Sequence, residues 1–274
     1  MFTKLKHKLA IWSIRKALKE QNLMPIYEEL EEILPDIRDQ YSFAEVNSEY
    51  KITNIRAMHA FQMDFLSKAI ERVGERAIVV SMVSEDVSGA LKGIDIGDSS
   101  GNHTLYLKGL FPATRFKMLS VNADENAVNK IAAKGLNAIL CSLEDLVMFE
   151  KYEPYDFGMM FEVLEHIENP VDVLRKLKKM CIDKFIITVP YLRKSRVGLH
   201  QIRQGSGGYN LENTHIFELC PEDWKLLFAY TGWEVVREAV YLQYPRWCLP
   251  LRYLWRKKDF EGFWGCVLGR KDET

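Results

Sequence analysis

The sequence predicts an α/β fold: a seven-stranded, mostly parallel sheet with helices on both faces, preceded by a helical region. Three observations predict it. From about residue 90, short apolar runs alternate with stretches of helical spacing, the pattern of βαβ units. The first of these runs ends in a glycine turn, Gly93-Ile94-Asp95-Ile96-Gly97-Asp98-Ser99-Ser100-Gly101. The residues before that point lack the alternation and read as helices, punctuated by Pro25 and Pro35.

The chain divides accordingly into a helical region, 1–85, and a sheet domain, 86–274. In the first, Lys4, Lys6, Lys8, Arg15, Lys16 and Lys19 all precede the first acid, Glu20, and Phe2, Leu5, Leu9 and Trp12 follow helical spacing. Residues 1–20 are therefore a basic amphipathic helix. It either packs on its own protein or makes weak contact with an anionic membrane surface. Residues 28–34 form an acidic, exposed helix, and Ile55, Met58, Phe61, Phe65 and Ile70 give 54–73 a helical period.

In the sheet domain the strands are placed at 91–96, 116–121, 138–141, 156–161 and 184–189, the last ended by Pro190. Helices lie between them, 170–180 being the clearest. A helix at 221–230 precedes two closing strands, 234–242 and 262–268, read as an antiparallel pair at the sheet's end. The basic, aromatic stretch 252–258 between them is read as a loop.

Composition narrows the function. The 274 residues are 47% hydrophobic and 27% charged, with a net charge of −1. No global basic field exists to hold a phosphate backbone, so no nucleic-acid partner is expected. The five cysteines are scattered and never spaced as CxxC, which suits a reducing compartment and excludes a zinc or disulfide framework. With no signal peptide and no apolar run of membrane-spanning length, a cytoplasmic location is expected, with a membrane-peripheral one as the alternative.

In an open parallel sheet, ligands sit beyond the carboxyl ends of the strands at the point where strand order reverses. The glycine turn lies there. Gly97 and Gly101 let backbone approach a ligand, the following helix offers free N–H groups, and Asp95 is placed to orient the loop. The spacing is G-x-x-x-G, neither the G-x-G-x-x-G of dinucleotide sites nor a P-loop.

From Leu91 to Arg270 the sequence resembles the class I S-adenosylmethionine-dependent methyltransferases, a Rossmann-like family. Gly93–Gly101 resembles their first motif, D-x-G-x-G-x-G, with Ser99 in place of the middle glycine. Asn122 stands where the family has a ribose-binding acid, with Asp124 nearby. Cys141-Ser142-Leu143-Glu144-Asp145-Leu146 is similar to the segment lying against adenine. The most specific match is Phe161-Glu162-Val163-Leu164-Glu165-His166-Ile167 followed by Asn169-Pro170. Phe185–Pro190, His215-Ile216-Phe217 and Gly232–Val236 resemble the sequel. The resemblance implies S-adenosyl-L-methionine as cofactor, with Asp95, Gly97, Asp98, Ser99, Gly101, Asn122, Ser142, Leu143, Glu144 and Phe161 as its binding residues. It implies methyl transfer, expected at oxygen, to a small or medium acceptor such as a sugar, glycan or metabolite. The cofactor carries the activated group, so the protein positions the acceptor and removes a proton. His166 and His215, the latter after the glycine-rich substrate loop 203–210, are the candidate catalytic bases. His103 and His200 rank behind them.

A metal-free site is expected. The alternative ligand set is Glu162, Glu165 and His166, spaced E-x-x-E-H and completed by His200 or His215. It resembles the divalent-cation sites of some O-methyltransferases of this class. Tyr41, Phe43, Tyr50, Arg56 and His59 of the helical region are candidates to reach the acceptor. Two rival readings stand beside the enzyme. One is a catalytically degenerate binding or partner module, suggested by Ser99 and Asn122. The other is a membrane-peripheral methyltransferase of glycan or lipid assembly.

Overall fold

The computed structural model describes residues 2–41, 45–81, 90–112, 114, 116–143, 145–146, 154–180, 182, 184–197, 214–258 and 260–271. Three helices open the chain: α1 (Phe2–Glu20), α2 (Met24–Ile33) and α3 (Glu49–Ser81). There follow β1 (Leu91–Ile96), α4 (Asn102–Leu110), β2 (Phe116–Asn122), α5 (Glu125–Ala133), β3 (Ala138–Leu140) and β4 (Phe157–Phe161). A 3-10 turn (Leu164–His166) leads to α6 (Pro170–Lys179), β5 (Lys184–Tyr191) and a small hairpin of β6 (Arg196–Val197) and β7 (Phe217–Glu218). The chain closes with α7 (Pro221–Tyr230), β8 (Trp233–Leu242), α8 (Leu249–Lys258) and β9 (Gly262–Arg270).

The seven-stranded sheet has the order β3-β2-β1-β4-β5-β9-β8. The first five strands run parallel, and β9 lies antiparallel to both β5 and β8. This is the Rossmann-like, mostly parallel sheet expected. The strand order reverses between β1 and β4, so the helices that follow them, α4 and α6, pack on opposite faces and leave a crevice at the strands' carboxyl ends. Both strands are almost wholly buried, which is why they read as apolar runs rather than as alternations.

One apolar cluster fills each face of the sheet. On one side Ile14, Leu30, Phe61 and Phe65 of the N-terminal helices pack with Tyr106, Met159, Ile186 and Phe263. On the other, Leu174, Leu177, Trp224 and Phe228 pack with Ile94, Phe185 and Trp264. Helices α1–α3 thus share their core with the sheet. Ala57 and Ala60, fully buried on α3, are small enough for the helix to lie close.

Several boundaries differ from expectation for identifiable reasons. Helix α2 begins earlier than 28, because Pro25 sits in its first turn, where a missing N–H costs nothing. Strand β5 runs through Pro190 to Tyr191. Beyond Thr188 it no longer pairs with β4, so Pro190 is bordered by β9 alone. The stretch 252–258 is not a loop but part of helix α8, which Leu251 and Trp255, four residues apart, anchor by burial. The β6–β7 hairpin is too short for its pattern to show in sequence.

Candidate active site

A cleft of about 920 Å³ opens at the carboxyl ends of β1, β2, β3 and β4. Gly97, Ser99, Asn122, Ser142, Leu143, Phe161, His166 and His215 all line it. Asp95, Asp98 and Gly101 stand behind its wall. Glu144, His200, Phe43 and the segment 203–210 lie outside the described residues.

The glycine turn is built by two left-handed residues. Gly97 (φ 87°) accepts no side chain without striking Val163, and Gly101 (φ 76°) caps α4 against Leu136. The loop's N–H groups are held by Asp98 rather than by Asp95. Asp98 Oδ1 accepts from the amides of Ser100 (3.0 Å) and Gly101 (2.8 Å), and Oδ2 accepts from the Ser120 hydroxyl (2.7 Å). Asp95 instead meets His103 Nδ1 at 3.0 Å. Burial and the charge of Asp98 push Asp95 up to about 6. Burial opposes a charged His103 imidazole, but Asp95, by charge and hydrogen bond, with Asp98 behind it, raises its pKa on balance.

Ser99 has a structural purpose here. Its hydroxyl donates to the Gln40 carbonyl at 2.6 Å, and the Gln40 side-chain oxygen accepts from Asn102 Nδ2 at 2.8 Å. A glycine could not make the first of these bonds, so the serine ties the turn to the segment after α2. Asn122 is likewise engaged: Nδ2 donates to the Asp98 carbonyl (2.9 Å) and Oδ1 accepts from the Asp124 amide (2.8 Å). Asp124 itself caps α5 by accepting from Asn126 N, and it does not line the cleft. Ser142 donates to Asp145 at 2.9 Å.

Across the cleft lies a cluster of acids and imidazoles. Glu162, at the end of β4, has φ 54°, a left-handed conformation that a glutamate adopts only when its surroundings hold it there. Its amide donates to the Thr188 carbonyl at 2.9 Å. The residue keeps some surface on the cleft, but its Oε1 is buried with no hydrogen-bond partner among the described residues. Glu165 is 1% exposed, and neither carboxylate oxygen has a hydrogen-bond partner among the described residues. Burial, offset in part by a Thr188 hydrogen bond, pushes Glu162 up to about 8. Burial and the charge of Glu162 push Glu165 well above the ordinary range.

His166 Nδ1 lies 3.2 Å from the Thr214 carbonyl, and its Nε2 is 3.8 Å from Glu165 Oε1. The His215 ring stands edge-on to it, centroids 4.7 Å apart, with Nδ1 3.4 Å from Glu218 Oε1. Arg196 in turn pairs with Glu218 across the β6–β7 hairpin. Burial works against the charged Glu218, yet His215 and Arg196 hold its pKa below the usual value. Glu165, His166 and His215 each offer one ligand atom, all within 4.8 Å of one another.

Of the N-terminal candidates, Tyr41 and Tyr50 line the cleft. Arg56 does not: it is spent on Glu31 (2.9 Å) and the carbonyls of Leu34 and Pro35. His59 is fully buried, edge-on to His103. Sequence reasoning missed Gln40, Gln62 and Glu218. Gln62, on α3, donates to the Thr188 hydroxyl at 3.0 Å on the cleft wall, and only a glutamine on the buried side of an apolar helix hinted at it.

No family model matches the chain, and no curated protein matches it. Solved structures similar to it include a magnesium protoporphyrin IX methyltransferase from Synechocystis with bound S-adenosylhomocysteine. That likeness has 14% identity over 89% of this chain and 94% of that one, with a TM-score of 0.49. A 1,6-didemethyltoxoflavin-N1-methyltransferase from Burkholderia thailandensis is 12% identical over 77% and 88%, TM-score 0.46. A SAM-dependent methyltransferase from Archaeoglobus fulgidus is 15% identical over 73% and 94%, TM-score 0.46. At such distances, what the cleft holds is decided by its own residues.

Proposed function

We propose that the chain is an S-adenosylmethionine-dependent methyltransferase acting on a hydroxyl of a small or medium acceptor. One observation carries this reading. A single cleft at the sheet's switch point unites the glycine turn, Asn122 and Ser142–Leu143 with the acid–imidazole cluster facing them. The first wall suits the cofactor: small turn residues for its amino-acid end, Asn122 for the ribose hydroxyls, Leu143 for the adenine face. Phe161 forms an apolar surface between the two walls. The cofactor supplies a methyl group already activated on a sulfonium. The residues of this chain have to place the acceptor oxygen in line with it and hold or receive its proton.

The cluster also fits a divalent cation, the alternative that the E-x-x-E-H spacing raised. A buried carboxylate whose two oxygens find no partner among the described residues is costly unless a ligand answers it. His166 and His215 each have a second nitrogen set against a carbonyl or carboxylate, the arrangement that orients imidazoles toward a metal. Glu165, His166 and His215 would hold the ion, with Glu162 alongside. Such an ion would lower the pKa of an acceptor hydroxyl.

Titration calorimetry with S-adenosylhomocysteine tests the enzyme reading. Saturable binding is expected, and no heat at millimolar ligand would establish the rival, a binding module that has lost the cofactor. Manganese binding followed by paramagnetic resonance tests the cluster. Tight uptake by the wild type and its loss in His215→Ala is expected, whereas equal uptake by both would remove the metal.

A further inference from the structure

We propose that the face formed by α1 and by the segment from Trp247 through α8 docks on an anionic phospholipid bilayer. This surface is distinct from the cleft and does not depend on what the cleft binds. Among the described residues, seven of the twelve exposed large apolar side chains fall on these two segments. Leu5, Trp247 and Tyr253 are each about two-thirds exposed (67%, 68% and 67%). The other five lie on separate elements, Leu226 and Tyr230 one turn apart on α7 and Leu140, Val197 and Val236 on strands β3, β6 and β8. An apolar face left in water on one part of the surface marks an interaction site.

The two segments are joined by hydrogen bonds. The Trp255 indole donates to Ser13 Oγ at 3.1 Å, and the Ser13 hydroxyl donates to the Gln243 carbonyl at 2.9 Å. The Arg246 amide donates to the Glu20 carboxylate at 3.1 Å. Leu9 lies one helical turn before Ser13 and Leu5 one turn before that, so the apolar stripe of α1 runs along the flank that meets α8.

Charge identifies the occupant. The chain as a whole carries −1, yet its first nineteen residues hold six cations and no acid. Lys8, Arg15, Lys16 and Lys19 lie on one helix face and, with Ile11 and Trp12, line a groove of about 360 Å³ in which Glu49 is the one acid among the described residues. None of the four is in an ion pair with a described residue. Cations flanking exposed Trp, Tyr and Leu match the two layers of a bilayer surface, anionic headgroups above an apolar boundary. A second copy of the chain fits less well, since a two-fold contact through this face would set the same cations against each other. The groove adjoins the cleft: Glu49 lines the one, Tyr50 and Lys51 the other, and His7 of α1 stacks on Tyr50 with centroids 5.2 Å apart. Docking therefore brings the cleft's mouth to the headgroup layer.

Co-sedimentation of the full chain with vesicles tests this. The wild type is expected to sediment with phosphatidylcholine–phosphatidylglycerol vesicles, to be released by salt, and to stay behind with pure phosphatidylcholine. Lys8→Glu/Arg15→Glu/Lys16→Glu is expected to lose roughly a hundredfold or more in partitioning, at about fivefold per cation. Trp247→Ala/Tyr253→Ala is expected to keep a weaker, salt-sensitive association and a smaller blue shift of tryptophan emission on binding, the remainder coming from Trp12. Thermal melts of both variants, expected to match the wild type, confirm that they are folded. Absence of sedimentation by the wild type, or equal partitioning of folded variants and wild type, overturns the proposal. So does a doubling of mass in solution that Trp247→Ala/Tyr253→Ala abolishes, because the face would then be an interface between copies.

Discussion

Replacing Glu162 by glutamine removes a group that the fold holds in its uncharged state. Burial raises its pKa from 4.5 to about 8. Below pH 4.5 the carboxyl is protonated in both folded and unfolded chains and contributes nothing. As pH rises above 4.5 the unfolded chain releases this proton while the folded chain keeps it. The unfolded state then binds fewer protons, and stability falls with pH until the folded group also ionises near 8. The gap, at about 1.4 kcal/mol per pH unit, corresponds to about 5 kcal/mol. Because Glu162 borders the open cleft, water answers part of its charge, leaving about 3–5 kcal/mol. Glutamine keeps the shape and never ionises. Glu162→Gln is therefore expected to match the wild type near pH 4.5 and to exceed it at pH 8. At about 2–3 °C per kcal/mol for a chain of this size, the difference is about 6–15 °C in melting temperature. The assay is a series of thermal melts from pH 4.5 to 8.5 in excess chelator. Adding manganese in place of chelator is expected to raise the wild type most at pH 8, where the ion takes the place of the proton, and the variant less. Parallel melting profiles for the two proteins across this range would refute the reasoning, since the carboxyl would then be ordinarily solvated.

Gly101→Ala forces a side chain into a left-handed conformation (φ 76°) with its Cβ 2.6 Å from Leu136 Cδ1, and a loss of about 1–2 kcal/mol is expected by chemical denaturation; an unchanged midpoint would contradict the αL assignment. Asn122→Ala removes two hydrogen bonds that brace the turn and the proposed ribose contact, and S-adenosylhomocysteine is expected to bind roughly tenfold more weakly. Calorimetry showing wild-type affinity would take Asn122 out of the cofactor site. Ser99→Ala cuts the bond to Gln40 and is expected to cost about 0.5–1.5 kcal/mol of stability. Should Ser99→Ala leave stability untouched and weaken cofactor binding instead, the serine would be a ligand and not a tie.

Much of the fold was legible because its signals are local. A strand buried on both faces must be an apolar run, as Leu91–Ile96 and Phe157–Phe161 are, and a left-handed turn wants glycine, as Gly97 and Gly101 show. The boundaries that were misread are those where tertiary contacts override local preference. Trp255 on Ser13 makes a helix of a basic stretch that reads as a loop, and the end of β4 lets β5 carry a proline.

The candidate site divides in the same way. The sequence by itself determined the strand–turn–helix at Gly93–Gly101, the E-x-x-E-H spacing after β4, and the basic amphipathic character of residues 1–20. Each is a matter of neighbouring residues and their period. Only the tertiary structure decided that Asp98 and not Asp95 clamps the turn, and that Ser99 fastens it to Gln40. Only the tertiary structure brought His215, some fifty residues on, edge-on to His166, and placed α1 beside α8. Hydrogen bonds, desolvation and charge act through a few ångströms of space, and distance along the chain does not report distance across a fold.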